Sequence, residues 1–584
     1  MLPRTLDRYL QIFQRNLANV DALPQLAVLG LIAGIATGAV ILLFRAAIEI
    51  PLTYFLPGLD AEGFEGLGLV TRGLLPLCGA LAIGLMLHSL SAPNRRFGIS
   101  FVIERLNYHQ GYITLRSAIN QFLLGVLTIV SGQSAGREGP AVHLGAASSS
   151  LLGQWLKLPN NSIRTLVACG SAAAISASFN TPIAGVIFAM EVVLMEYTIS
   201  GFTPVILAAV SAAVVNQLVY GDMPAFTVPT LSLQSLLELP YIVLMGLVFA
   251  LCSVIFVRTQ IFFMQFSSRP ILLRILAAGA MTSLVAIFIP DIMGVGYDTV
   301  SRSIAGEIAL PLLLLIGVAK LLLTPAAVGL GMPSGIIGPT LFVGATLGAA
   351  MGIVGQMLVP GSASSTGFYA MLGMGAMMGA VLQAPLSALM AVMELTRSTH
   401  IILPAMLIIV IASLISAHFF RQRSLFNTVL QLQGLDYQST PLSQALRRVG
   451  VGAMMERNIA RTESELTPEQ AKQLLLNAPK WLVVERRDGP MFAMPASDLA
   501  RYLEGDLPEE PVDAEMVDLC EIPAQRRDLA PLHVQATLEE ALHQLNATSV
   551  EALYVQRTSA PMINPIVGII TRADIEGYYQ LNRR

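Results

Sequence analysis

Between residues 26 and 420 one apolar segment follows another, a pattern that a single soluble core cannot absorb. Segments 26–49, 69–90, 115–131, 203–220, 237–257, 271–290, 308–328 and 401–420 each read as long enough to cross about 30 Å of hydrocarbon. Shorter segments, interrupted by Gly and Pro, lie at 141–156, 163–179, 183–196, 339–358, 367–382 and 386–396. Charge is scarce there and abundant afterwards. Residues 421–584 carry 17 Lys/Arg and 22 Asp/Glu, about 24% charged, whereas the preceding 420 residues hold 34, about 8%. The fold class is therefore an all-α polytopic membrane protein, built partly from broken helices, followed by a soluble α/β domain.

Several function classes drop out at once. A net charge of −3 offers no basic excess for nucleic acid phosphates. Cys78, Cys169, Cys252 and Cys520 are scattered, and the seven histidines show no ligand spacing, so neither a disulfide frame nor a metal site is expected. No Ser/His/Asp set or paired carboxylates suggest an enzyme. No phosphate-binding glycine loop suggests an ATP-driven pump. The first residues lack the apolar core of a cleavable leader. Leu6, Leu10, Phe13 and Leu17 share one helical face, with Arg4, Arg8 and Arg15 roughly opposite, which predicts an amphipathic helix over 1–24. These arginines, with Arg421 and Arg423 after the last apolar segment, put both termini in the cytoplasm.

The membrane body repeats itself. Gly136-Arg137-Glu138-Gly139-Pro140 and Gly335-Ile336-Ile337-Gly338-Pro339 both read GxxGP, 199 residues apart. Asn180-Thr181-Pro182 leads to Glu191, and Gln383-Ala384-Pro385 leads to Glu394, at an offset of 203. Gly170 and Gly373 stand twelve residues before the two prolines. Two motifs in one order at nearly one offset predict two homologous halves, 25–225 and 226–430.

The chemistry of GxxGP follows from helix ends. Glycines let backbone N–H groups turn towards a ligand, and proline near a first helical turn loses no hydrogen bond. A helix N-terminus offers unpaired donors and roughly half a positive charge. Two such ends meeting at the midplane of the bilayer make an anion site without a full charge, suited to an ion that must also leave. Glu138 is a costly residue to place there unless it has a role, as a gate or a proton carrier.

These residues resemble the CLC family of chloride channels and chloride/proton exchangers. GREGP at 136–140 is similar to the family's glutamate-bearing filter segment, and GMPSGIIGP at 331–339 to its second filter loop. The resemblance covers about residues 25–430. It implies inverted repeats, a homodimer in a bacterial inner membrane and one anion pathway per subunit. It also implies that Glu138 is the external gating glutamate. The backbone amides near Gly335, Ile336 and Ile337, and those from Arg137 to Gly139, would line the anion sites.

Three departures from the family pattern bear on function. The family's first filter segment reads GSGIP, and its serine contacts the central anion. Here Phe97-Gly98-Ile99-Ser100 puts Phe97 at that serine, leaving Ser100 as the nearby hydroxyl. The family's central tyrosine is matched by Phe426, which has no hydroxyl. Exchangers of the family often carry an internal glutamate just after the position of Glu191. Val192 stands there and cannot relay a proton. The sequence thus favours a passive chloride channel gated by Glu138, with chloride/proton exchange as the alternative. A cation channel regulated by its soluble tail is a remote third.

The tail, residues 440–584, resembles a pair of CBS domains. Trp481–Val484, Ala552–Val555 and Ile566–Ile570 read as strands, and helices are expected from Ala496 and from Ala536. By that resemblance Thr571 and Asp574 would hold the ribose of an adenine nucleotide. A plain helix N-cap pair is the competing reading, and it is favoured because Met494-Pro495 makes the first unit degenerate.

Overall fold

The structure is a computed structural model. It describes residues 17, 22–56, 62–197, 199–222, 226, 233–359, 363–397, 399–435, 441–486, 489–505, 516–557 and 565–581. Apart from Leu17, the amphipathic face expected over 1–24 lies outside them. The chain forms two compact units. One comprises Leu26–Leu156 and Ile163–Tyr437; the other comprises Met1–Gln25, Lys157–Ser162 and Gln438–Arg584.

The first unit is helical. Its first half contains α1 (Leu23–Phe55), α2 (Leu69–Ser89), α3 (Gly98–Tyr108), α4 (Leu115–Val130), α5 (Glu138–Trp155), α6 (Asn160–Phe179), α7 (Pro182–Phe188, continued by a π-turn Ala189–Leu194) and α8 (Ile199–Tyr220). Its second half contains α9 (Leu239–Met264), α10 (Ile271–Phe288), α11 (Tyr297–Ala305), α12 (Leu310–Gly329), α13 (Ile337–Leu358), α14 (Thr366–Leu382), α15 (Pro385–Thr396), α16 (Ile402–His418) and α17 (Leu425–Leu432). Eight helices among the described residues are long and apolar enough to cross a membrane. The protein is an integral, multi-pass membrane protein.

Which segments are long differs from the expectation. α4 and α16 have only 16 and 17 residues, about 24–26 Å of helix. The interrupted segments at 163–179 and 339–358 belong instead to α6 and α13, with 20 and 22 residues, the windows being 94% and 83% buried. Gly and Pro in those stretches mark close packing against protein.

The two halves meet through matched contacts. Gly136 and Gly335, equivalent in the repeat, form an antiparallel bridge: Gly136 N donates to Gly335 O (3.0 Å) and Gly335 N to Gly136 O (2.8 Å). A Cβ on Gly335 would lie 2.4 Å from Gly139 N, so only glycine fits. The helix pairs repeat as well. α5 crosses α6 where Gly145 abuts Gly170, and α13 crosses α14 where Gly344 abuts Gly373, each with no room for a side chain.

The carboxylates of the second motif are exchanged across this junction. Glu394 accepts from Ile183 N (3.0 Å) and Ala184 N (2.7 Å) at the start of α7. Glu191 accepts from Leu386 N (3.2 Å), Ser387 N (2.7 Å) and Ser387 Oγ (2.6 Å) at the start of α15. Each glutamate thus caps the N-terminus opened by the other half's proline, satisfying donors no intrahelical carbonyl can reach.

In the second unit, α18 (Pro441–Arg447) and α19 (Val451–Met454) precede two β-α-β-β-α repeats. The first is β1 (Ile459–Glu463), α20 (Pro468–Leu475), β3 (Trp481–Arg486), β4 (Gly489–Pro495) and α21 (Ala496–Gly505). The second is β6 (Arg527–His533), α22 (Leu538–Thr548), β7 (Ala552–Gln556), β8 (Ile566–Thr571) and α23 (Arg572–Leu581). One sheet runs β1-β3-β4-β6-β7-β8, while β2 (Glu465–Leu466) pairs with β5 (Val517–Asp518). The registers match: β1 lies parallel to β3 and β6 to β7, each followed by an antiparallel partner. Each repeat has its own apolar core, around Leu482, Val484 and Leu499 or around Leu553, Val555 and Ile570. This architecture fits a CBS-type domain.

Candidate functional site

Four of the helices whose N-cap residue gives no side-chain hydrogen bond start close together: α3 at Phe97, α5 at Arg137, α13 at Ile336 and α17 at Ser424. Their N-terminal residues line one cavity of about 470 Å³, which we term the inner cavity. Ser100, Gly139, Gly335, Ile336 and Phe426, all expected at the anion site, border it. So do Arg95, Arg96 and Arg274, which give it a cationic wall. Phe97 stands beside them with no hydroxyl. One amide is already used, since Gly98 N donates to Gln121 Oε1 (3.0 Å). The motif has built several dipole ends around one space, which favours an anion without fixing it.

Arg137 and Ile337 are placed elsewhere. Ile337 borders a small apolar cavity with Leu341 and Met378. Arg137 borders a second large cavity, the outer cavity, of about 260 Å³. Its guanidinium lies 3.6 Å from Glu49 and 5.1 Å from the centre of the Tyr297 ring. Glu49 in turn holds Arg45 (2.5 Å) and accepts from Tyr220 (3.0 Å). Arg137 is thus part of a charge network facing the outer cavity.

Glu138 opens α5 and is fully buried. Its Oε2 accepts from Gly338 N (3.0 Å), an amide in the first turn of α13, and its Oε1 from the Tyr297 hydroxyl. The carboxylate therefore sits on the helix N-terminus supplied by the second GxxGP. The preceding residue, Arg137, borders the outer cavity, and the following one, Gly139, borders the inner cavity. Glu138 itself lines neither cavity; its two chain neighbours line one each.

Tyr297 was not found from the sequence. It begins α11, and the loop before it is tied down by Lys320, fully buried in α12. Lys320 Nζ donates to Gly294 O (3.2 Å) and Val295 O (2.9 Å) and lies 4.0 Å from the centre of the Phe342 ring. Gly296 (φ +81°) turns the chain between them, where a Cβ would strike Phe342. A lone lysine inside the apolar run 308–328 was the available signal.

Carboxylates gather in the loop between α1 and α2. Glu62 borders the outer cavity and accepts from Asp298 N (3.0 Å); burial pushes its carboxyl above the ordinary value, against the pull of Arg137. Burial, then Asp298, pushes Glu65 up to about 7.

In the second unit, Thr571 and Asp574 bond to each other. Asp574 Oδ2 accepts from Thr571 N (2.8 Å) and Oγ1 (2.6 Å), a cap for α23. Pro495 holds the register position of Thr571, paired with Trp481 as Thr571 is with Ala552.

The comparisons agree with this architecture. The family described as Voltage gated chloride channel matches residues 79–417. A "Putative chloride channel protein ClcB-like" of Ralstonia nicotianae is 30% identical over 404 residues, 65% of this chain and 91% of its own. The chain belongs to the CLC family. An "H(+)/Cl(-) exchange transporter ClcA" of Salmonella agona is 31% identical over 320 residues, 53% of this chain and 67% of its own. Among solved structures, a slow cyanobacterial Cl−/H+ antiporter has a TM-score of 0.62 at 22% identity, over 70% of this chain and 97% of its own. A eukaryotic CLC transporter has a TM-score of 0.57 at 17% identity, over 94% and 97%. These two establish the CLC fold alone. Within that fold Val192 is buried in the π-turn after α7, and Glu191 is spent on capping α15.

Proposed function

We propose that this CLC protein exchanges chloride for protons across the membrane, with Glu138 as the shared carrier. CLC-type anion transport is the common ground; exchange replaces the passive channel that Val192 favours in the sequence. The observation that carries the reading is the Glu138 carboxylate seated on Gly338 N between two cavities. There it occupies a place a chloride ion would take. Protonation removes its charge and weakens its hold on the amide, so the carboxyl leaves and an anion enters. Ionisation lets it return and expel the anion. One site then holds either the carboxylate or chloride, and protonation decides which.

Relatives named as H+/Cl− exchange transporters support exchange, whereas the ClcB-like relative bears a channel name. The proposal includes a homodimer with one pathway per chain. It also includes cytoplasmic termini in a bacterial inner membrane, supported by Arg4, Arg8, Arg15, Arg421 and Arg423.

The second reading is a channel, favoured by the absence of a titratable group at Val192. The test uses purified protein in liposomes with a chloride gradient, internal pH recorded, and voltage set by valinomycin and potassium. Exchange requires protons to move uphill as chloride runs down. Chloride flow with no such proton movement would replace exchange with the channel reading.

A further inference from the structure

An exchanger needs a proton port on the inner side of Glu138, and neither Val192 nor Glu191 supplies one here. We propose that Glu104, with His109, forms that port. This rests on the exchange reading.

Glu104 lies on α3, the helix that brings Gly98 to the inner cavity, and α3 packs against the π-turn carrying Val192. Its side chain is 6% exposed, yet it borders the inner cavity. Oε1 accepts from Arg96 Nη1 (2.8 Å), while Oε2 has no hydrogen-bond partner. A buried carboxylate oxygen left without a donor is costly, so Oε2 is the atom of this side chain free to engage water from the cavity. His109 Nε2 stands 3.8 Å from Oε1, with its side chain 48% exposed. The pair joins solvent at the end of α3 to a buried carboxylate on the cavity wall. Arg96 is itself 42% exposed, so its hold on Glu104 is screened.

The other titratable and charged groups around α3 are placed as follows. Arg105 lies 4.9 Å from the centre of the Phe101 ring. His143, on α5, bonds to Ser117 Oγ (3.0 Å) and stacks on Phe101. Arg164, on α6, donates to Leu106 O, and Glu191 caps α15. Arg95 and Arg274 border the inner cavity as cations and have no proton to exchange near neutral pH.

The step is a proton transfer. An imidazolium at His109, acting through one water across the 3.8 Å gap, or a hydronium ion, gives its proton to Glu104, leaving neutral imidazole or water and a neutral carboxylic acid. Glu104 then passes the proton to solvent in the inner cavity, whose wall includes Gly139, the neighbour of Glu138. The carboxylate is restored.

The test compares Glu104→Gln and His109→Gln against the unaltered protein in the liposome assay. Both variants are expected to pass chloride while uphill proton movement falls roughly tenfold or more. Coupled proton movement at the unaltered ratio in either variant overturns the proposal. Loss of chloride flux in both also overturns it, since Glu104 then serves the anion path. If the unaltered protein moves no protons uphill, it is the exchange reading that fails.

Discussion

Tyr297 shows most directly what a single residue does here. Its hydroxyl donates to a fully buried carboxylate, and such bonds to charged groups contribute about 1.5–3 kcal/mol. Tyr297→Phe keeps the ring and loosens Glu138. If release of the carboxylate limits turnover, chloride flux rises about tenfold. The same change in a Glu138→Gln background should leave flux unaltered; a rise there would mean that Tyr297 acts on packing and not on Glu138. Phe426 offers the converse experiment. It borders the inner cavity at 5% exposure, where a phenol could donate to an anion. Phe426→Tyr is expected to tighten chloride by about 1 kcal/mol, roughly fivefold, in equilibrium binding measured by calorimetry. Unchanged affinity would mean that the hydroxyl does not reach the ion. GREGP was legible in the sequence because its residues are contiguous, whereas Tyr297 lies 159 positions from Glu138 and no local pattern links them.

At the scale of elements, the reciprocal caps explain why both motifs end in glutamate. Glu191→Ala leaves two backbone amides and a hydroxyl without an acceptor, a loss of about 1–3 kcal/mol. Glu394→Ala removes the acceptor of two amides at the start of α7. Both variants should lower the melting temperature in detergent by comparable amounts, with proton-to-chloride coupling kept in whatever fraction folds. Altered coupling at Glu191 with normal melting would give it a role in transport. The loop between α1 and α2 carries a pH effect. Glu65, raised to about 7, binds its proton more tightly in the folded state. Its contribution is full below the ordinary carboxylate range and is lost as pH rises through about 7. Glu65→Gln should therefore flatten the fall in melting temperature between about pH 4.5 and about pH 7; an identical fall in the variant would assign it to other groups.

For the membrane unit as a whole, two cavities with Glu138 as the proposed barrier between them predict sidedness. In a Cys78→Ser background, Ser100→Cys should react with an impermeant thiol reagent added from one side of the vesicle only. Asn180→Cys, at the outer cavity, should react only from the other. Reaction of both from the same side would contradict the layout.

The sequence by itself determined the membrane class, the duplicated body, the helix starts and a soluble α/β tail. Apolar length, GxxGP spacing and strand–helix alternation are local signals, and short-range physics acts on them directly. Only the tertiary structure decided that Glu138 rests on the other repeat's helix end and that Arg137 borders a different cavity from Gly139. It also decided that Glu191 is a cap, that Tyr297 holds Glu138, that Lys320 ties the loop before Tyr297 and that Glu104 borders the inner cavity. Those facts arise where residues distant in the chain share one small volume. Hydrogen bonds and charge pairing depend on a few ångströms of separation, which spacing along a chain does not encode.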